Sequence, residues 1–217
     1  MNFSIKECIR FGWETFKKRP WFFVGATLLV FLAYIVLALI SAGIDAAISG
    51  DVNESAGAGN LVNFFGSALI NMGLTAFYLS AHDNVETAAT GMLWHPRPFW
   101  TYLGAFVLVA TNIVVGFLLL VVPGFIFFLM LIFTTFIVID RELGMFESMG
   151  ESERITRGHK WSLLGLVLVL MLINVLGGIA FVVGLLVSMP VSYLAMTHAY
   201  RVLAGEVPAK RADAVLA

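Results

Sequence analysis

FWTYLGAFVLVATNIVVGFLLLVVPGFIFFLMLIFTTFIVI, residues 99–139, runs for 41 residues without one charged side chain. As a single straight helix, at about 1.5 Å rise per residue, it would be roughly 60 Å long, about twice the hydrocarbon thickness of a bilayer. It must therefore fold back. Pro123-Gly124 is the natural place, because proline is accepted at the first position of a new helix. The stretch reads as two membrane-crossing helices joined by a tight turn.

The same reading extends in both directions. Trp161 to Tyr200 again lacks Asp, Glu, Lys and Arg, with Gly177-Gly178, Gly184 and Pro190 as candidate turns. Upstream, Trp21 to about Ile48 forms one span and Leu61 to about Ala81 a second, more polar one, joined by the small polar loop Asp51 to Gly59. His82 to Pro98 is a connection with some helical character. The chain is 60% apolar and 12% charged over 217 residues, whereas a soluble domain carries about a quarter charged residues. The expected fold is all-α: a polytopic membrane bundle of six transmembrane helices in three hairpins, with amphipathic interfacial helices. Residues 3–18, FSIKECIRFGWETFKK, place Ile5, Cys8, Ile9, Gly12, Trp13 and Phe16 on one helical face. Such a helix lies in the interface plane or packs on the ends of the protein's own spans. The expected organisation is an interfacial helix at 1–19, a membrane domain at 20–205 and a tail at 206–217. Lys6, Glu7, Arg10 and Glu14 interrupt the first sixteen residues, so a cleavable signal peptide is not expected.

Charge supports this arrangement independently. With six spans, all 13 Lys and Arg residues fall on one side, and the other side receives Asp45, Asp51 and Glu54. The excess of cations on cytoplasmic loops then puts both termini inside. The expected location is the cytoplasmic (inner) membrane of a bacterium or archaeon. Four spans with two re-entrant segments would partition the charges identically.

Trp21, Trp100 and Trp161 each open an apolar segment, and Gly25, Gly104 and Gly165 follow one turn later. An indole keeps its N–H in the wet headgroup layer and its ring in apolar surroundings. The glycine lets another helix approach closely. The pattern suggests a threefold repeat of interfacial helix plus hairpin, arranged about an axis along the membrane normal. Its spacing is uneven, 79 and then 61 residues. The second and third units also share Asn-x-x-x-Gly, as Asn112 to Gly116 and Asn174 to Gly178. Gly177 and Gly178 are further candidates for close packing. Arg154, Arg157 and Lys160, just ahead of Trp161, would face anionic headgroups, each worth about 1 kcal/mol near the surface.

Polar residues inside the spans are few. Asn63, Ser67, Asn71 and Thr75 recur at intervals of four on the second span, and Asn71, Asn112 and Asn174 lie near mid-depth. Lipid is a poor neighbour for such groups, so they should look inward. They would form either an interhelical hydrogen-bonded seam or a groove for a headgroup or small solute. Buried acids of the kind that drive coupled transport are missing, Asp45 alone being within reach of a span. Acid, base and imidazole side chains gather on the cationic side, where His82, Asp83 and Asp140 mark the place for a site if one exists. No His-x-x-x-His pair and no serine elbow is written. The single cysteine, Cys8, excludes an intrachain disulfide and a cysteine-built metal centre. Neither metal nor cofactor is expected, and the net charge of −1 argues against nucleic acid as a partner.

Three stretches carry a family resemblance: IKECIRFGWETFKKRPWFFVG, VPGFIFF followed by FIVIDRELGMFESMGESERITRGHKWSLLG, and LVSMPVSYLAMTHAYRVL. The chain resembles a broad bacterial and archaeal group of six-span integral membrane proteins. That group includes the membrane domain attached to some glycerophosphoryl diester phosphodiesterases and the YciC-like membrane proteins. The resemblance implies six helices and an inner-membrane location, and it carries over no catalytic residue. The leading expectation is a non-enzymatic scaffold, interaction or lipid-binding protein, with membrane lipids, other membrane proteins or a second copy as partners. A small-solute or lipid transporter or channel with an Asn-lined interior is the alternative, followed by an accessory domain of a separately encoded enzyme. Reporter fusions at positions 55 and 123 should read outside and those at 90 and 150 inside; an external reporter at 150 would discard the six-span reading.

Overall fold

The computed structural model describes residues 3–50, 57–83, 99–179 and 181–205. Most of the polar loop after residue 50, the connection 84–98 and the 206–217 tail lie outside the described residues. Among those described, the chain forms helices and no strand: α1 (Ile5–Lys18), α2 (Pro20–Ser49), α3 (Ala58–Asp83), α4 (Phe99–Leu119), α5 (Val121–Leu131), α6 (Thr134–Arg141), α7 (Met145–Thr156), α8 (Lys160–Ile179) and α9 (Phe181–Ala204). Proline opens α2 at its first position, where a missing N–H is harmless. Gly50 closes it in the left-handed conformation at φ 78°, its N–H reaching the Ala46 carbonyl.

The uncharged 99–139 stretch does fold back, and the break falls at Leu120, which is extended (φ −171°, ψ 153°). Pro123 sits in the first turn of α5. The other expected turn is displaced. Gly177, Gly178, Gly184 and Pro190 all lie on helices, α8 ending at Ile179 and α9 starting at Phe181. The glycines serve the pairing instead. Gly177 and Gly184 meet backbone to backbone, and a Cβ on Gly116 would stand 2.9 Å from Gly124 Cα. Gly59 likewise abuts the Ser41 carbonyl. Near each reversal, removing a side chain lets the two helices touch.

Three antiparallel pairs result. Tyr34 meets Asn71 across α2 and α3, and Phe23 stacks on Tyr78 nearer the charged end. Phe117 contacts Phe125 across α4 and α5. Asn174 meets Ser192 across α8 and α9. Each pair has an outer and an inner member. Only 17% of the apolar stretch is buried in α2 and in α8, and 22% in α4, against 50% in α3 and in α5–α6. The inner helices then close a ring: α3 packs on α4, α5 on α8, and α9 on α2. The three pairs thus contact one another in a cyclic order.

The exposed side chains of the outer helices are Leu, Ile, Val and Phe, among them Leu28, Leu32, Leu39, Leu118 and Leu172. Soluble monomers seldom expose apolar patches beyond roughly 300–600 Å². Five helical stretches are long and apolar enough to cross a membrane: Pro20–Ser49, Ala58–Asp83, Phe99–Leu118, Val122–Arg141 and Lys160–Ile179. The sixth expected span corresponds to α9, which is not among the five. Ser188, Ser192, Thr197, His198 and Arg201 dilute its described part. Five helices pack against it, α1, α2, α3, α7 and α8, so it meets protein where the outer helices present apolar side chains.

The amphipathic helices α1 and α7 lie across the charged ends of the inner helices. α1 buries Cys8, Gly12, Thr15 and Phe16 against the bundle, chiefly on α9. Trp13, expected on the same face, is instead 45% exposed, and Thr15 takes the inward position. α7 buries Ser148, Ser152, Ile155 and Thr156 on α4, α5 and α6. These two sets match position for position: thirteen, nine, six and five residues ahead of Trp21 in α1 and of Trp161 in α7. Their small residues make the contact. A Cβ on Gly12 would stand 2.6 Å from the Val191 carbonyl oxygen, and Ser152 Oγ donates to the Met130 carbonyl at 2.7 Å.

The Trp-associated glycines need a correction. Around Gly104 and Gly165 the close neighbours are side chains of the amphipathic helices: Met145 of α7 and Ile5 of α1. Around Gly25 and Gly178 there is nothing within 4 Å. No spanning helix approaches these two in the described chain, because each faces outward on an outer helix. Gly12→Ala should therefore lower stability by about 1–3 kcal/mol through backbone overlap. Gly25→Ala and Gly178→Ala should be neutral or stabilising by up to ~1 kcal/mol through helix propensity. Thermal unfolding in one detergent would compare them, and equal shifts at all three positions would contradict the packing.

Candidate functional site

The inner helices converge at their charged ends. α3 supplies His82 and Asp83, α6 supplies Asp140, and α9 supplies His198, Tyr200 and Arg201. Arg201 is the centre. Its Nη1 donates to Asp140 Oδ2 at 2.9 Å and its Nη2 to Asp83 Oδ2 at 2.8 Å. Tyr200 Oη donates to the same Asp140 oxygen at 2.8 Å. The Arg201 and Asp140 side chains are 12% and 13% exposed, Asp83 57%. One guanidinium thus ties three helices together, and its planar fork suits two carboxylates in different directions. Removing one partner of such a buried pair strands a charge and costs about 3–5 kcal/mol.

A second layer sits beside it. His82 Nδ1 lies 3.2 Å from Asp83 Oδ1, and His82 Nε2 lies 3.1 Å from His198 Nδ1. Phe11 of α1 covers both imidazoles, stacked on His198 at 4.1 Å between centroids and tilted over His82 at 4.8 Å. The polar array runs from α9 through α3 to α6, with Phe11 of α1 as its apolar cover. Chemically it is a set of paired charges rather than a poised nucleophile: Arg201 engages both carboxylates. Cys8 is also withdrawn from chemistry, since burial pushes its thiol up to about 12. Among the described residues no group of three or more metal-ligating side chains forms.

The asparagines do not converge. Asn71 Nδ2 donates to Tyr34 Oη and to the Ser67 carbonyl, both at 2.8 Å. Asn174 Nδ2 donates to Ser192 Oγ at 2.9 Å and to the Leu170 carbonyl at 3.0 Å. Asn112 donates to the Leu108 carbonyl on its own helix. Asn71 and Asn174 therefore each clamp one helical pair. The α3 stripe also changes character along its length: Asn63 is exposed, Ser67 is bonded to the Phe64 carbonyl, and Thr75 is buried. Asp45 Oδ1 accepts the Gly59 N–H at 2.8 Å, holding the start of α3 against α2.

The interfacial residues behave differently. Trp21, Trp100 and Trp161 are 85%, 75% and 85% exposed, so all three rings point away from the protein. Glu151 is gripped by Arg141 at 2.7 Å and by both Nε and Nη2 of Arg154 at 2.6 Å, which ties α7 to the end of α6. Arg157 pairs with Glu153 at 3.4 Å. Glu147, an unfavourable neighbour of Glu151 on α7 by spacing, turns aside to accept the Gly144 N–H. The sequence reading marked His82, Asp83 and Asp140 but missed Arg201 as their hub. The available signal was register: Asp140 and Arg201 each lie forty residues beyond their tryptophans, Trp100 and Trp161.

The hydrogen bond from Arg154, then that from Arg141, holds the Glu151 carboxyl down to about 2. A depressed carboxyl contributes stability that is present above its ordinary range and lost as pH falls. Wild type should therefore lose its stability advantage over Glu151→Gln between pH 4.5 and about 2. Thermal unfolding of the two proteins across that window measures it, and a constant advantage would contradict the ion-pair geometry.

Comparison with known proteins adds a family and nothing more specific. No curated protein and no solved structure matches the chain. A family profile described as "Domain of unknown function (DUF7847)" matches residues 87–212, more than half of the chain, including all of the second and third helical pairs, and the protein belongs to that family.

Proposed function

We propose that this is a non-enzymatic integral protein of the cytoplasmic membrane of a bacterium or archaeon, working as a lipid-binding scaffold. Its three antiparallel pairs cross the bilayer six times, with both termini and the charged ends inside. α9 has 24 residues and so extends about 36 Å, enough for a hydrocarbon core of about 30 Å. The observation that carries the reading is the rim. Three outward indoles sit at equivalent places on the outer helices, with Lys17, Lys18 and Arg19 ahead of the first and Arg154, Arg157 and Lys160 ahead of the third. Indoles at headgroup depth beside cations suit anionic lipid. Inside, Asn71 is bonded to Tyr34, Asn174 to Ser192, and Arg201 to Asp83 and Asp140, which supports a seam over a solute path. The family resemblance leaves room for an enzyme partner docked on the same charged end.

Retention of phosphatidylglycerol against phosphatidylcholine, followed by native mass spectrometry, tests this. Arg157→Ala combined with Lys160→Ala should weaken anionic-lipid retention by roughly thirtyfold, at about 1 kcal/mol per cation. Unchanged retention, or solute flux or lipid scrambling in proteoliposomes, would replace the scaffold with a transporter.

A further inference from the structure

α5 stops at Leu131 and α6 starts at Thr134, although residues 130–135, MLIFTT, contain neither glycine nor proline. Helices bend sharply at proline, at Gly/Ser pairs, at a π-bulge, or where a side chain enters the i→i−4 ladder. Among the described residues only the last applies here. Ser152 Oγ of α7 donates to the Met130 carbonyl at 2.7 Å, and Thr156 Oγ1 reaches the same oxygen at 3.4 Å. In an unbroken helix that carbonyl accepts from the Thr134 N–H. Phe133, at the break, stands at φ −99°, ψ 1°, away from the roughly −63°, −42° of a regular helix.

α9 supplies an internal comparison. Met130 lies 30 residues beyond Trp100, and Val191 lies 30 beyond Trp161. Gly12 of α1 abuts the Val191 carbonyl as Ser152 abuts that of Met130, each nine residues ahead of its own tryptophan. Gly12 brings no hydroxyl, and α9 runs unbroken from Phe181 to Ala204 with Pro190 inside it. The helix with a proline is continuous; the helix that meets a hydroxyl is interrupted.

A second arrangement of the broken helix is written into the same turn. Thr134 is fully buried, and its hydroxyl has no hydrogen-bond partner among the described residues. On a continuous helix a threonine hydroxyl bonds the carbonyl four residues back, which here is that of Met130. Thr134 and the α7 hydroxyls are therefore rival donors to one carbonyl. α7 also holds the far side of the break, where Arg141 donates to Glu151 at 2.7 Å.

We infer that α5 and α6 form a two-position element, broken at 132–133 while Ser152 sits on Met130 and continuous when α7 is lifted. Asp140 is the end of the lever, seven residues past Phe133, or about 10 Å along α6. Straightening swings it off Arg201 Nη1, which it now meets at 2.9 Å. The docking of α7 thus sets whether α6 joins the Arg201 cluster.

The experiment uses the full-length protein in detergent, isotope-labelled for backbone carbon-13 and nitrogen-15 shifts. Ser152→Ala combined with Thr156→Val removes both hydroxyls. The Phe133 Cα and carbonyl shifts should move to helical values, and exchange of the Thr134 and Thr135 amides should slow several-fold. A hydroxyl that merely braced the fold would give the opposite sign on removal, with faster exchange and shifts toward coil. Ser148→Ala is the control, since that hydroxyl reaches the Leu143 carbonyl instead, and it should change neither reading. Glu151→Gln loosens α7 at its other grip and keeps Ser152. It covers the case in which the double variant fails to fold, and its Phe133 shifts should move partway toward helical values. Unchanged or coil-ward shifts in the variants that fold, or an equal response to Ser148→Ala, would overturn the inference.

Discussion

Arg201 is the contact on which the architecture turns. It comes from the last helix and reaches carboxylates on two others, Asp83 of α3 and Asp140 of α6. A charged group placed among packed helices must find partners or be excluded. Here one guanidinium pairs each Nη with a carboxylate and so draws three helix ends to a common point. The three carrier helices occupy equivalent places in a cyclic arrangement, so the ion-pair cluster lies where their ends converge. An asymmetric charge pattern, two acids and one base, thereby joins three similar units.

The rest of the fold follows from how those units avoid exposing polar groups. Helices satisfy their own backbone, and several polar side chains on the apolar helices bond back to carbonyls one turn earlier or across to the paired helix. Thr27, Ser41, Thr75 and Asn112 take the first course. Asn71 and Asn174 take both. Glycine at the reversals removes the steric obstacle to pairing. What remains outward is almost purely apolar, apart from the rim of indoles and cations. α1 and α7 complete the charged end by laying small residues, Gly12 and Ser152, directly on the backbone of the inner helices.

The equal burial register of α1 and α7 sharpens the repeat suggested by the tryptophans. Two helices of unrelated composition, one with Cys8, Gly12, Thr15 and Phe16 inward and the other with Ser148, Ser152, Ile155 and Thr156, meet the bundle through the same positions. Hydrophobicity alone does not signal this, because five of the eight inward residues are glycine, serine or threonine. At the first two matched positions, Cys8 with Ser148 and Gly12 with Ser152, the shared property is small size. That also explains the misplaced Trp13: a periodicity reading favours the largest apolar side chain for the buried face, whereas a helix lying on another backbone needs its smallest ones there.

Helix content, the fold-back of the 99–139 stretch and the exposure of Trp21, Trp100 and Trp161 were all legible in the sequence. They depend on local quantities: apolar length, absence of charge, and proline or tryptophan at a segment boundary. Tertiary structure alone decided which helices lie inside and which polar groups meet. Asp83 and Arg201 are 118 residues apart, and His82 and His198 are 116 apart. No periodicity links such pairs, since a period describes one helix and these contacts arise where three separate helices end. The asparagine stripe shows the same limit. Its spacing identified one face of α3, but only the position of Tyr34 on α2 made that face a clamp within one pair.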